Sequence, residues 1–199
     1  MAADLKNQFL RNIFIPASLV TSLAAPLAAE ANTVDIQDDA QQSVHHYLDF
    51  NILSIHDPFK RDMTTYWEEG KEKPFNEKNW GLGYTQLRDV TEAFGGIFRL
   101  GGTAGYYKNS YEKDSFYLGG VVEQAYRLGS KWEVAVGAMA GGITGYKHLL
   151  GYDVTPAGQF FVRGEYDNTV SVKLGFIPEF GIDDKKNPAL VTLQASYKF

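Results

Sequence analysis

The hydrophobic pattern of this chain predicts β-strands rather than helices, most clearly over residues 132–146. This stretch, WEVAVGAMAGGITGY, carries no charge after Glu133 and is rich in glycine, alanine and β-branched residues. A sequence so dense in small residues makes a poor amphipathic helix. Further apolar stretches at 158–164 and 169–178 follow short polar or glycine-containing breaks, as in antiparallel hairpins. We therefore expect a closed barrel, because closure removes unpaired strand edges.

Eight strands are predicted along the chain. They cover residues 50–56, 80–87, 94–107, 115–126, 132–146, 158–164, 169–177 and 190–199. Long loops and tight turns alternate between them, which is typical of outer-membrane barrels. The predicted fold class is therefore all-β, an eight-stranded antiparallel transmembrane β-barrel in the bacterial outer membrane. The final aromatic residue, Phe199, fits this prediction.

The N-terminal part of the sequence predicts export followed by a short helix. Lys6 and Arg11 precede an apolar stretch, and small residues flank a cleavage position after Ala31, so residues 1–31 are predicted to be a signal peptide. Residues 32–49 are predicted to be a short amphipathic helix, because apolar side chains from Val44 onward recur at helical spacing. Residues 50–199 then form the barrel.

Composition agrees with a membrane barrel and argues against other classes. The chain has 199 residues with 20 Gly, 12 Tyr and 13 Phe, which suits strands between lipid and a crowded interior. A formal net charge of −5 argues against nucleic-acid binding, which normally needs a basic face. There are no cysteines, so disulfides and thiolate metal sites are excluded. A soluble lipocalin-like carrier remains an alternative on pattern alone.

Several segments together resemble one known family. They are FNEKNWGLGY at 75–84, YKNS at 107–110, the stretch at 132–146, GFIP at 175–178 and the closing strand to Phe199. In this order they resemble the lipid A palmitoyltransferase (PagP) family, although no single motif is specific. The resemblance implies an outer-membrane acyltransferase that moves a fatty acyl chain from a phospholipid to lipid A. It implies no metal or organic cofactor, and a monomer is expected.

The resemblance also implies catalytic residues. With Gly119 and Glu123 kept in frame, the family's Asp-Ser pair falls on Asn109 and Ser110, so the serine is retained and the aspartate is replaced. A second alignment puts the pair at Asp114-Ser115, at the cost of that frame. The family's histidine corresponds to His56. Acyl transfer needs a hydroxyl, a base within reach and donors for the oxyanion, which these residue types can supply.

Two further positions concern the lipid chain. The family's barrel-floor glycine corresponds to Val121, whose larger side chain implies an acyl chain shorter than palmitate. Pro178 corresponds to a proline that interrupts strand pairing and opens a lateral gap, which proline can do because it has no N–H to donate. The replacement at Asn109 leaves a second hypothesis open, in which the chain is a non-catalytic small barrel that binds lipid or protects the surface.

Overall fold

The computed structural model describes residues 43–59, 65–68, 70–147, 151–182 and 185–199. The predicted signal peptide, residues 1–31, lies outside this part, as do residues 32–42 of the predicted helix. Among the described residues, no helix is long and apolar enough to cross a membrane.

The described part of the chain is built from strands. In chain order these are β1 (Val44–His56), β2 (Thr65–Glu68), β3 (Lys71–Pro74), β4 (Gly81–Ala93), β5 (Gly96–Lys108), β6 (Asp114–Leu128), β7 (Trp132–Ile143), β8 (Thr155–Tyr166), β9 (Val170–Ile177), β10 (Phe180–Ile182), β11 (Lys185–Asn187) and β12 (Leu190–Lys198). Two pairs, β2 with β3 and β10 with β11, form short hairpins between the barrel strands.

The other eight strands form a closed antiparallel barrel. Their spatial order is β1-β12-β9-β8-β7-β6-β5-β4, and β4 pairs with β1 to close the sheet. Strand β1 therefore pairs on both sides, with His56 opposite Leu190 of β12 and Val44 opposite Arg88 of β4. The predicted fold class, an eight-stranded antiparallel β-barrel, is confirmed.

The helix predicted over residues 32–49 is wrong for its last six residues, because β1 begins at Val44. Tyr47 and Asp49 are buried inside the barrel, whereas Val44 and Leu48 are exposed on its outer face. Successive strand side chains point to opposite faces, so Val44 and Leu48 share a face that Tyr47 does not. The apolar spacing that suggested a helix thus comes from strand side chains that point alternately to the lipid and to the lumen.

The connections differ between the two rims of the barrel. At one rim, strands join through short turns at residues 94–95, 129–131 and 167–169. Asp167 and Asn168 both have positive φ (52° and 53°), as a type I′ hairpin turn requires. At the other rim the links are longer, at residues 57–80, 109–113, 144–154 and 178–189. We call these the short-turn rim and the long-loop rim; in outer-membrane barrels they face the periplasm and the exterior, respectively.

The outer face of the barrel is apolar. Large hydrophobic side chains are exposed along the strands, among them Leu82, Leu118, Val136, Val162 and Leu174. Exposed aromatic residues lie near both rims, including Trp132, Tyr166 and Phe199 at the short-turn rim and Trp80, Phe116 and Tyr152 at the long-loop rim. An apolar band between two aromatic girdles is the surface that a lipid bilayer requires, and such barrels lie in bacterial outer membranes.

The interior is arranged in layers that can be followed down β6. Ser115 lies at the long-loop rim, and Tyr117 and Gly119 line a cavity below it. Val121 is next and belongs to a small apolar layer. Glu123 follows within a layer of charged side chains toward the short-turn rim. An eight-stranded barrel is just wide enough for side chains to fill it, so these layers are the core.

The charged layer is a continuous hydrogen-bonded network. Arg99 donates to both carboxylate oxygens of Glu133, at 2.6 and 2.9 Å. Arg163 donates to Glu123 at 2.6 Å and to Glu165 at 2.5 Å. Pairing of this kind offsets the cost of burying these charges. The network therefore fills the short-turn half of the lumen with hydrogen-bonded polar groups.

Candidate functional site

A cavity of about 140 Å³ occupies the long-loop half of the barrel. Most of its wall is apolar or aromatic, with contributions from Tyr107, Met139, Tyr146, Ile177 and Leu190. A smaller set of polar side chains also lines it: Asn51, Ser54, Asn79, Thr103, Ser110, Gln159, Lys173, Thr192 and Gln194. An apolar cavity with a few convergent polar groups is the usual form of a ligand site.

Glycines make room for the cavity by letting Tyr117 lie flat against the barrel wall. Gly83 and Gly105 are opposite each other on β4 and β5. A Cβ atom at Gly83 would lie 2.2 Å from the Tyr117 hydroxyl, and one at Gly105 would lie 2.5 Å from it. Any larger residue at either position would therefore push the phenol ring toward the centre of the barrel. The glycine content noted in the sequence has a specific use here.

The barrel wall has a seam between β8 and β9 beside the cavity. Their pairing ends at Phe160 opposite Phe176. The pairing of β7 with β8 continues to Thr155, and that of β9 with β12 continues to Ile177. Residues 155–159 of β8 thus have no ladder partner on β9 within the described part of the chain. Pro178 immediately follows β9, which is where the resemblance put a lateral gap.

The seam opens onto the cavity. Ala157, Gly158 and Gln159 on one side and Ile177 on the other all line it. At the lower end of the seam, Gln159 donates to the Thr192 hydroxyl at 2.6 Å. Its side chain crosses over Gly175, where a Cβ atom would lie 1.2 Å from the Gln159 amide nitrogen. A chain entering sideways from the bilayer would therefore meet the cavity above this bridge.

Ser110 lies at the mouth of the cavity in a set of hydrogen-bonded polar groups. It is buried, and its hydroxyl oxygen is 3.5 Å from that of Ser54. Ser54 donates to the Asn79 side-chain oxygen, and the Asn79 amide donates to the Lys108 carbonyl at 2.9 Å. The Ser110 carbonyl accepts from the Asn76 backbone at 2.8 Å. These contacts fix the hydroxyls of Ser54 and Ser110 side by side.

His56 ends β1 at the same rim, on the inward face that also carries Ser54. Its side chain is buried and stacks on Phe75, with ring centroids 4.1 Å apart and planes 4° apart. The His56 Nδ1 atom is buried without a hydrogen-bond partner among the described residues. His56 and Ser110 thus lie on one rim, as expected, but no hydrogen bond joins them within the described part.

Asn109 holds the loop between β5 and β6 together. Its side-chain oxygen accepts from the backbone N–H groups of Tyr111 and Lys113, each at 2.9 Å. Its amide nitrogen donates to Ser115 at 3.0 Å and to the Gly145 carbonyl at 3.2 Å. These four bonds use both amide hydrogens and the oxygen, so the structure does not bring Asn109 to His56.

The alternative pair, Asp114 and Ser115, points in two directions. Asp114 is exposed and accepts from Tyr106 and Lys108, at 2.7 and 2.9 Å. Ser115 is buried beneath Asn109. Neighbouring strand residues face opposite sides of the sheet, so these two side chains do not form one site.

A loop tyrosine, Tyr146, closes the cavity near the rim and packs against a second one, Tyr111. The Tyr146 hydroxyl is 3.0 Å from that of Tyr107, and its ring packs edge-on against Tyr111. Burial raises the pKa of the Tyr146 phenol, and burial likewise raises the pKa of Tyr111. Both rings therefore stay neutral at ordinary pH. Tyr146 forms an apolar wall of the cavity with a polar tip, and Tyr111 supports it from the side.

Val121, expected at the floor, lies one layer below the cavity. It packs with Tyr47, Leu87 and Phe161, and Met139 covers this cluster from the cavity side. The side chains that end the cavity in this direction are Met139 and Lys173, so Val121 would act on chain length only through Met139.

The sequence analysis missed Ser54, Asn79 and Lys173. Lys173 carried a signal, because it is the one charged residue in the strand VSVKLGFI. Ser54 and Asn79 are ordinary polar residues in sequence, and only strand register and loop contacts bring them to Ser110.

Comparisons with known proteins add little to this description. No family model matches the chain, and no curated protein matches it. Among solved structures, the outer membrane protein Ail of Yersinia pestis in a nanodisc aligns with a TM-score of 0.39 at 10% identity, covering 79% of this chain and 100% of Ail. A crystal structure of Ail aligns with a TM-score of 0.37 at 10% identity, covering 79% of this chain and 97% of that one. Likeness at this level carries no argument, and the architecture rests on the strand pairing of the chain itself.

Proposed function

We propose that this barrel is an outer-membrane acyltransferase that moves a fatty acyl chain from a phospholipid to lipid A. The observation that supports it most is the lateral seam between β8 and β9, which leads from the bilayer into an apolar cavity with Ser110 at its mouth. A phospholipid acyl chain entering by the seam would hold its ester near the Ser110 and Ser54 hydroxyls.

The reaction exchanges one carbon–oxygen bond for another and moves one proton, in two transfers, from the acceptor hydroxyl to the leaving group. An acceptor hydroxyl oxygen of lipid A bonds to the ester carbonyl carbon, and the bond from that carbon to the phospholipid oxygen breaks. His56 takes the hydroxyl proton and returns it to the leaving lysophospholipid. Ser110 donates to the carbonyl oxygen as its negative charge develops. The His56 Nδ1 atom has no hydrogen-bond partner among the described residues, and catalytic hydrogen bonds often tighten only when substrate is bound.

The acyl chain is expected to be shorter than palmitate. The cavity ends at Met139 and Lys173 instead of continuing along the barrel axis, since the apolar and charged layers fill the remainder. Each methylene that fits adds about 0.8 kcal/mol of burial.

The test is to express the chain in a strain with hexa-acylated lipid A and to examine lipid A by mass spectrometry. We expect a hepta-acylated species that is lost in Ser110→Ala and His56→Ala. Ser171→Ala is the matched control, because Ser171 is a buried serine of β9 that does not line the cavity. Correctly folded wild type that adds no acyl chain would refute the proposal, as would variants at both sites that keep full activity.

A second candidate is a non-catalytic barrel that takes a lipid chain into the same cavity. It is favoured by one observation: His56 has no hydrogen-bonded carboxylate among the described residues, while Asn109 is fully occupied elsewhere. In that case folded protein would leave lipid A unchanged yet retain lipid after purification.

A further inference from the structure

Lys173 differs from the other buried cations of the barrel. It lies in the middle of β9, 7% exposed, and lines the cavity. Arg99, Arg163 and Lys198 all have carboxylate partners. Lys173 has no hydrogen bond or ion pair with any described residue, and its ammonium lies 5.2 Å from the centre of the Phe161 ring.

Two other donors of the same cavity, Asn51 and Tyr117, lie close to each other, and Tyr117 also lies near Thr103 and Gln194. The Asn51 amide nitrogen and the Tyr117 hydroxyl are buried without a hydrogen-bond partner among the described residues. The Asn51 side-chain oxygen accepts from Gln194 at 3.0 Å, which leaves the NH₂ group of Asn51 unused. Within the described part of the chain, Lys173, Asn51 and Tyr117 thus line one cavity without a well-formed hydrogen bond from these donor atoms, although buried polar groups are normally paired.

The nearby charged groups do not satisfy Lys173. Its charged neighbours are Asp49, Glu123 and Arg163. Asp49 accepts from Thr85 and from Ser196, each at 2.6 Å. Glu123 and Arg163 are bonded to each other within the charged layer. The described residues therefore leave no acceptor for Lys173, and one that reaches it comes from outside this part of the chain or is water.

We propose that the cavity binds a single-chain carboxylate amphiphile, such as a medium-chain fatty acid, with its carboxylate on Lys173, Asn51 and Tyr117. One carboxylate offers two oxygens with enough lone pairs for three donors. A single negative charge also matches a site with one cation and two neutral donors. The apolar walls then contact the hydrocarbon chain, and its far end extends through the seam beside Ile177 toward the bilayer. The inference does not rest on the proposed transfer reaction.

The experiment uses the full chain in phosphatidylcholine nanodiscs and [1-¹³C]decanoate as the probe, at pH 8. The ¹³C spectrum should show a saturable bound carboxyl resonance that is absent from empty nanodiscs. Lys173→Met should weaken decanoate binding about 10–100-fold, the effect of losing a hydrogen bond to a charged group. Lys131→Met, at an exposed lysine in the turn before β7, should bind as wild type does. Decanol lacks the carboxylate and acetate lacks the long hydrocarbon chain, so both should bind more weakly than decanoate.

Folding of each variant is checked by heat-modifiable migration on gels, and Lys173→Gln replaces Lys173→Met if the latter does not fold. Unchanged decanoate binding in the Lys173 variant would overturn the proposal. So would decanol binding as tightly as decanoate, which would indicate an apolar cavity alone. Acetate binding equal to decanoate would exclude the amphiphile, and no saturable resonance would mean that the cavity holds water only.

Discussion

Replacing Arg163 by methionine should destabilise the barrel strongly at neutral pH and much less at pH 5. Arg163 donates four hydrogen bonds: two to Glu123 at 3.1 and 2.6 Å, one to Glu133 at 2.9 Å and one to Glu165 at 2.5 Å. Methionine keeps an apolar stem of similar reach but removes the charge. The three carboxylates would then carry one uncompensated negative charge in the lumen.

The size of the stability loss depends on which hydrogen-bond partners the three glutamates keep in the variant. Glu123 and Glu133 keep their bonds to Arg99, and Glu165 keeps Tyr47 and Lys198, so two cations remain for three carboxylates. Removing one partner of a buried ion pair costs about 3–5 kcal/mol. Protonation limits this cost, because an ordinary glutamate needs about 4 kcal/mol to be protonated at pH 7 and about 1 kcal/mol at pH 5. The folded variant then holds a proton that the unfolded chain lacks at pH 7, so its stability rises as the pH falls.

Urea unfolding in phosphocholine vesicles, followed by the fluorescence of the three tryptophans, measures both values. We expect Arg163→Met to lose about 3–4 kcal/mol relative to wild type at pH 7 and about 1 kcal/mol at pH 5. Arg127→Met is the control, because Arg127 is exposed at the short-turn end of β6. A loss below about 1 kcal/mol at pH 7, or an equal loss at both pH values, would refute the reasoning.

Three further predictions concern the cavity and its rim. Asn109→Asp restores the aspartate of the resembled family. It should lower the free energy of unfolding by about 1–3 kcal/mol, because a carboxylate would face the Gly145 carbonyl, and it should not raise lipid A acylation. More acylated lipid A in the mass spectra would contradict this prediction. Met139→Ala should lengthen the transferred acyl chain in lipid A mass spectra, whereas Val121→Ala should leave it unchanged; the reverse order would place the floor at Val121. Lys173→Met should raise the free energy of unfolding in urea by about 1–3 kcal/mol without ligand, since it removes a buried ammonium that has no ion-pair partner among the described residues. A loss of stability would indicate a partner for Lys173.

The fold was largely predictable because side chains that face the lipid alternate with side chains that face the lumen along each barrel strand, and this alternation is visible in the sequence. Strand β9, VSVKLGFI, alternates exposed Val170, Val172 and Leu174 with buried Ser171 and Lys173. All eight barrel strands could therefore be counted. The same rule failed over residues 44–49, because outward apolar and inward aromatic positions there happened to recur at helical spacing.

The site was less predictable because its contacts join distant parts of the chain. Asn109 is bound to Gly145, 36 positions away, and Ser110 lies beside Ser54, 56 positions away. A motif comparison assigns Asn109 a role by its neighbours in sequence, whereas its four hydrogen bonds give it a structural one. The early end of the β8–β9 ladder has one sign in the sequence, Pro178, because proline has no backbone N–H to donate to a neighbouring strand.

The interior layers determine from which side a ligand reaches the cavity. The charged layer and the apolar layer around Val121 fill the short-turn half of the lumen, whereas the seam between β8 and β9 opens at the long-loop end. Long loops face the exterior in outer-membrane barrels, so the seam lies at the level of the outer leaflet. A hydrocarbon chain that passes through the seam would therefore come from that leaflet. Arg163→Met should leave this route intact, since its effect is confined to the opposite half of the barrel.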